Sequence, residues 1–173
     1  MSGLTPKQIA HMEGVVVRDH YLVPAAWWRM TTSMRRIVCN GIGPDKFPAW
    51  VRTLADWILE VFLDASGPHD VGYEYGTGTR EDWHLRNDEF FTNCKKAIEA
   101  EYPALPQPGT SLWYRITHPL ARLRYDKREA ERCELHQTAQ LLFLAVESDK
   151  GWDSYQAAVK RGPEIQLSPE GVA

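Results

Sequence analysis

The sequence predicts a mainly α-helical protein built as one domain. Apolar residues recur at steps of three and four in successive segments, which is typical of helices that bury one face. Proline, glycine and capping residues mark where these segments begin and end. The length of 173 residues, of which 43% are hydrophobic and 25% charged, suits one ordinary core and is too short for two full-sized domains.

The first half of the chain contains three predicted helices. The first spans 6–12 after the capping residue Thr5, and the second spans 24–37 and ends at Asn40-Gly41. The third spans 50–62, is amphipathic and ends at Ser66-Gly67-Pro68.

Two further helices follow in the middle of the chain. Pro68 stands in the first turn of a short helix that ends at Gly76 and Gly78. Asp82 is the predicted cap of a helix over 83–100. The predicted buried set of this helix is Leu85, Phe90, Phe91, Cys94 and Ile98.

The last third of the chain is predicted to be helical with one break. The segment 110–146 is interrupted near Pro119, and a final short helix spans 152–159. The sequence after Gly162 has no periodicity. We therefore assign residues 1–161 to the single helical domain and 162–173 to a flexible tail.

Composition excludes several classes of protein. The net charge of -3 lacks the basic excess on which nucleic-acid binding depends. The three cysteines lie far apart, so they form neither a C-x-x-C pair nor a disulfide framework, and a reducing compartment fits best. No signal peptide is recognisable, and charges interrupt the most apolar stretch, 50–65, so we expect a cytoplasmic protein without a transmembrane segment.

The most informative segment is His69-Asp70-Val71-Gly72-Tyr73, followed by Asp88. In a helix, His69 and Tyr73 share one face, whereas Asp70 points about 100° away. If the next helix returns antiparallel, Asp88 meets His69 and Tyr73 and completes a polar cluster. The prediction is thus two antiparallel core helices that carry the His-Asp-x-x-Tyr and Asn-Asp motifs.

Asp70 would then face a different site. The loop Asn40-Gly41-Ile42-Gly43-Pro44 contains glycines that allow backbone oxygens to approach a ligand. Backbone carbonyls with one carboxylate form a site for a hard cation, and calcium accepts such irregular oxygen geometry.

Taken together, these segments and Asn87-Asp88-Glu89-Phe90-Phe91 resemble the phospholipase A2 superfamily, particularly its short bacterial, fungal and viral members. They also resemble small phage and prophage proteins with a His-Asp-x-x-Tyr helix. The likeness covers roughly residues 38–98.

The resemblance implies a role for each motif residue. His69 would be the general base that activates water, Asp88 its orienting carboxylate and Tyr73 a hydrogen-bond donor to Asp88. Asp70 would bind calcium together with the backbone carbonyls of Gly41 and Gly43.

The function that the resemblance implies is calcium-assisted hydrolysis of phospholipid acyl esters, with transient contact to a membrane surface. The chain departs from the superfamily where a cysteine commonly precedes the histidine, because it has Ser66-Gly67-Pro68 there. The second cysteine of the calcium loop is also missing, which fits a reduced, intracellular or phage-associated version.

Other interpretations remain open. The chain is alternatively a non-catalytic phage or prophage structural or interaction protein, with a protein partner. A third hypothesis is a metal phosphohydrolase in which His69-Asp70 binds metal with His11 or His20 and with Asp126.

Single motifs also have structural explanations. Asp88 is explained by a surface pair with His84, and the glycine loop is explained by a helix C-cap. The charged run 115–134 is explained by a solvated, salt-bridged helix face.

Overall fold

The structure, a computed structural model, describes residues 21–39 and 60–166. Within these ranges the chain forms helices and no strand, which confirms the prediction of a mainly helical protein. The elements are a 3-10 helix (Ala25–Arg29), α1 (Thr32–Val38), α2 (Leu63–Glu74), α3 (Arg80–Glu101), α4 (Leu112–Thr117), α5 (Pro119–Val146) and α6 (Asp149–Gln166). The predicted helix over 6–12 and most of the one over 50–62 lie outside the described residues.

The predicted helix over 24–37 is divided in the structure. The 3-10 helix ends at Arg29, and Thr31 then caps α1 by accepting a hydrogen bond on Oγ1 from the backbone N–H of Met34 at 3.2 Å. A threonine hydroxyl that satisfies a helix N-terminus favours a new helix start over continuation.

The helix α2 passes straight through Ser66-Gly67-Pro68, so the prediction that this tripeptide separates two helices is wrong. Gly67 is buried, and a Cβ at this position would lie 3.5 Å from the ring of Trp27 and 3.4 Å from Sγ of Cys39. This part of α2 is therefore packed against the 3-10 helix and the end of α1. Tertiary packing overrides the local helix-ending signal here.

The helix α3 begins two residues before the predicted cap. Thr79 is the N-cap, and its Oγ1 accepts a hydrogen bond from the backbone N–H of Asp82 at 3.2 Å. Asp82 thus lies in the first turn, where a carboxylate interacts favourably with the helix dipole. Leu85 is 49% exposed, so its predicted burial is wrong. The buried positions of α3 are Asp82, Trp83, Asn87, Phe90, Asn93, Cys94, Ala97 and Ile98.

The break near Pro119 is confirmed, because α4 ends at Thr117 and α5 begins with Pro119. The last helix is longer than predicted: α6 continues to Gln166, so residues 162–166 are helical and do not belong to a loose tail. Gly162 lies at the start of this extension. It is buried against the backbone oxygen of Glu74, where any larger side chain would overlap, so α6 remains packed on α2 at this level.

The described helices form one compact unit in which α2 packs against the 3-10 helix, α1, α3 and α6, while α3 packs against α5. The largest apolar cluster joins α2, α3 and α5. A second cluster surrounds Trp27 under α2, and a third lies between α2, α3 and α6. The third cluster consists of Tyr73, Trp83, Tyr155 and Ala158.

None of the helices in the described ranges combines the length and the hydrophobicity that crossing a bilayer requires.

Candidate functional site

Asn87 is the centre of a buried polar network between α2 and α3. Its side chain is fully buried, and its Oδ1 lies 2.7 Å from the hydroxyl of Tyr73 and 3.2 Å from Nε2 of His69. The indole nitrogen of Trp83 donates a hydrogen bond to the Tyr73 oxygen at 3.2 Å. Four side chains from two helices are thus joined by hydrogen bonds.

The other side of the Asn87 amide fixes its orientation. Its Nδ2 donates to Oε1 of Glu147 at 2.7 Å and to the backbone oxygen of Val146 at 3.3 Å. Because both partners are acceptors, the NH2 group must face them and the amide oxygen must face His69 and Tyr73.

This orientation determines where the proton of His69 lies. The oxygen of Asn87 accepts only, so Nε2 of His69 must be the donor, and the neutral ring then carries its free acceptor at Nδ1. The Tyr73 hydroxyl likewise donates to Asn87, since its own oxygen already accepts from Trp83. The network leaves one basic atom, Nδ1 of His69, to which no described residue donates a hydrogen bond.

The surroundings keep His69 neutral. Its ring centroid lies 4.1 Å from that of Tyr73 and 4.6 Å from that of Phe90. Burial lowers the pKa of His69 to about 4, although the hydrogen bond to Asn87 acts in the opposite direction. Burial also raises the pKa of Tyr73 well above its usual range. At neutral pH both groups are uncharged.

Asp88 does not take the place that the sequence predicted for it. Its side chain is exposed, and Asn87 lies beside His69 and accepts the hydrogen bond of Tyr73. The reason is helical register, because adjacent residues point about 100° apart and Asn87 belongs to the buried stripe of α3. The expected carboxylate is therefore replaced by an amide at this position.

Sequence reasoning missed Glu147, which follows the last residue of α5. Its carboxylate accepts hydrogen bonds from Asn87 at 2.7 Å and from Nδ1 of His84 at 2.8 Å. Asn87 itself had a sequence signal, because it lies four residues after Trp83 and three before Phe90, in the apolar repeat of α3. Glu147 had none, since only the packing of α5 on α3 brings it there.

Asp70 lies on a different side of α2 from His69. Its negative charge contributes, after burial, to raising the pKa of the Cys39 thiol to about 12. Cys39 is the last described residue before the predicted loop. Gly41 and Gly43 lie outside the described residues. In the ranges 21–39 and 60–166, no group of three histidine, cysteine, aspartate or glutamate side chains could hold a metal ion.

A second buried network fixes the turn between α2 and α3. The Tyr155 hydroxyl donates to Oδ2 of Asp82 at 2.6 Å and accepts from the backbone N–H of Gly78 at 3.0 Å. Arg86 donates to Oδ1 of Asp82 at 2.9 Å. Gly78 has a φ of 78°, a left-handed conformation that favours glycine. This network holds Asp82 ionised, because its hydrogen bonds and Arg86 lower its pKa although burial raises it.

The phosphohydrolase hypothesis gains no ligand set from these positions. His11 and His20 lie outside the described residues, and Asp126 is exposed on α5 in an ion pair with Arg122 at 3.1 Å.

The chain matches no family model, no curated protein and no solved structure.

Proposed function

We propose that the protein hydrolyses phospholipid acyl esters with His69 as the base that activates water. The observation that carries this proposal is the fixed tautomer of His69, whose Nε2 donates to Asn87 and whose Nδ1 remains a proton acceptor. Tyr73 supports it by donating to the same oxygen at 2.7 Å, which holds Asn87 in position. The helices α2 and α3 with their two motifs form the frame of this site.

Glu147 supplies the negative charge that an aspartate in direct contact would otherwise provide. As Nδ1 of His69 takes a proton from water, the ring becomes cationic and Asn87 can stabilise it only as a dipole. The Glu147 carboxylate lies behind the amide and polarises it in the favourable sense. A base with a pKa of about 4 is weaker than bases tuned to neutral pH, so we expect a modest rate.

Calcium is the cofactor in this proposal. Asp70 would bind it together with backbone oxygens of Gly41 and Gly43. When bound, a divalent cation polarises the ester carbonyl and stabilises the oxyanion. Of this set, Asp70 alone lies among the described residues.

A non-catalytic interaction protein is the second candidate, and one observation favours it. Beside His69 stands a neutral amide, whose hydrogen bonds are all satisfied within the network, as in a purely structural polar cluster. On this interpretation, phage or prophage association would operate through a protein partner, and His69 would serve only folding.

Release of fatty acid from a short-chain phosphatidylcholine, kept monomeric and assayed with calcium or with a chelator, tests the proposal. We compare His69→Gln with the wild type, because a glutamine amide can still donate to Asn87 and preserve the fold. The expected loss is about a hundredfold or more, as for removal of a general base. His118→Asn, at an exposed position between α4 and α5, is the matched control and should keep full activity.

The outcomes separate the two candidates. A folded His69→Gln variant that retains the rate of the wild type contradicts the assignment of the base, and absence of hydrolysis in the wild type favours the interaction protein. Calorimetric titration of calcium into the wild type and Asp70→Asn tests the cofactor separately, since binding that Asp70→Asn does not weaken contradicts the proposed site.

A further inference from the structure

The helix α4 and the first turns of α5 expose large apolar side chains next to arginines. We define the α4–α5 surface by these side chains, which are Leu112, Trp113, Ile116, Leu120 and Leu123 with Arg115, Arg122 and Arg124. Trp113 is 74% exposed. Monomeric proteins rarely leave a contiguous apolar group of this kind uncovered unless it meets a partner.

The two helices present these residues in an ordered way. Leu112 and Ile116 are separated by one helical turn, with Trp113 beside them, so α4 carries an apolar face. Leu120 and Leu123 repeat the pattern at the start of α5. This part of α5 stands away from the core, since the buried residues of the whole helix are Leu135 and Ala139 in its second half.

The charge of the α4–α5 surface indicates that its partner is anionic. From 110 to 125 the sequence contains three arginines and neither aspartate nor glutamate, while the whole chain has a net charge of -3. An anionic partner is therefore attracted to this surface and repelled elsewhere, which orients the protein. Arg122 is paired with Asp126, but both side chains are more than half exposed, so the pair competes weakly with an anionic partner.

We infer that the α4–α5 surface docks on anionic lipid bilayers. Exposed tryptophan and leucine with arginine are the combination that enters a lipid headgroup region, the rings and aliphatic groups below and the guanidinium groups among phosphates. A second copy of the chain is the poorer occupant, because a symmetric pair of these surfaces would bring the arginines of both copies together. The inference deepens the proposed function, because it names the surface that would bring the protein to its lipid. Only this role of the docking in hydrolysis rests on the proposed function.

Co-sedimentation with vesicles tests the inference directly. The vesicles contain either phosphatidylglycerol with phosphatidylcholine or phosphatidylcholine alone, at low and high salt. We expect the wild type to bind the anionic vesicles and to lose affinity with salt. Trp113→Ser and the double variant Arg122→Glu/Arg124→Glu should each bind about tenfold more weakly or worse.

Two variants control for exposure and for net charge. Trp28→Ser removes a tryptophan that is 69% exposed in the 3-10 helix, and Lys150→Glu/Lys160→Glu makes the same charge change at exposed positions of α6. Both should bind like the wild type. Binding that is absent, or equally weakened by the control variants, overturns the inference. So does a wild-type dimer that Trp113→Ser converts to a monomer while vesicle binding is unchanged.

The test separates failure of docking from failure of hydrolysis. His69→Gln should bind anionic vesicles like the wild type, and the surface variants should keep the wild-type rate on monomeric short-chain lipid. Vesicle binding without any hydrolysis leaves the docking surface intact and removes the proposed function. Hydrolysis of monomeric lipid without vesicle binding removes the docking surface alone.

Discussion

His69 and Asn87 face each other across α2 and α3, with 3.2 Å between the imidazole Nε2 and the amide Oδ1. The relationship gives the histidine a single neutral tautomer and leaves its other nitrogen free to take a proton. It also places an uncharged group where a catalytic carboxylate was expected, so the properties of this site depend on Asn87.

Replacement of Asn87 is expected to destabilise the protein far more than replacement of its neighbour. Asn87→Ala leaves the buried Tyr73 hydroxyl without its acceptor and Oε1 of Glu147 without its donor, and should lower the free energy of unfolding by about 2–4 kcal/mol. Asp88→Ala changes an exposed side chain and should stay within about 0.5 kcal/mol of the wild type. Urea unfolding measures both, and a larger effect for Asp88→Ala would show that the register of α3 is different.

The pKa of His69 predicts loss of stability in mild acid. The folded pKa of about 4 lies below the ordinary value of 6.5, so between these pH values the unfolded chain binds a proton that the folded protein does not. Above pH 6.5 the neutral His69 does not reduce the free energy of unfolding. As the pH falls toward about 4, His69 lowers this free energy by at most about 3 kcal/mol.

The measurement is the free energy of unfolding as a function of pH, for the wild type and His69→Gln. The variant should lack the part of the pH dependence that His69 contributes. Ring signals of His69 followed by NMR give its pKa independently, and titration near 6.5 would contradict the burial described for the ring.

The Tyr155 hydroxyl is expected to stabilise the turn between α2 and α3. Tyr155→Phe removes the donor to Asp82 and the acceptor for Gly78, and should cost about 1–3 kcal/mol. Tyr125→Phe is the control, because its hydroxyl has no hydrogen-bond partner among the described residues. Thermal unfolding of both variants suffices, and equal melting temperatures would show that the network contributes no net stability.

Two helical glycines should respond to the same substitution in opposite directions. At Gly67 an alanine Cβ would make ordinary contacts at 3.4–3.5 Å, and the better helix propensity of alanine should stabilise by up to about 1 kcal/mol. At Gly162 the Cβ would overlap the backbone oxygen of Glu74, so α6 must shift away from α2 at a cost of about 1–3 kcal/mol. Urea unfolding gives both values, and destabilisation by Gly67→Ala would indicate tighter packing around Trp27.

The helical character of the chain was predictable because it depends on local periodicity and on stop signals such as Pro119. The failure at Ser66-Gly67-Pro68 has a tertiary cause, since Gly67 packs against Trp27 from an element far away in the sequence. A local pattern gives no information about such a contact.

The two helices that carry the site were predictable from the sequence, but the full set of side chains that form its hydrogen bonds was not. His69 and Tyr73 share a face because they are one helical turn apart. The choice between Asn87 and Asp88 depends on a rotation of one residue, and it required treating a polar asparagine as a core position. Glu147 lies 60 residues from Asn87 in the chain, and only the tertiary arrangement of α5 relates them.

If the α4–α5 surface docks on a bilayer as inferred, the length of α5 determines how far the His69 network lies from the lipid. Its 28 residues extend about 42 Å, and the α4–α5 surface begins at one end while Glu147 follows the other. A molecule standing upright on its first helical turns would hold Glu147 about 42 Å from the docked end of α5, which is more than the roughly 30 Å of the hydrocarbon core of a bilayer. Leu141 and Leu144 are also exposed and lie on the same side of the helix as Leu123, so a molecule docked flat would bring both ends of α5 to the bilayer.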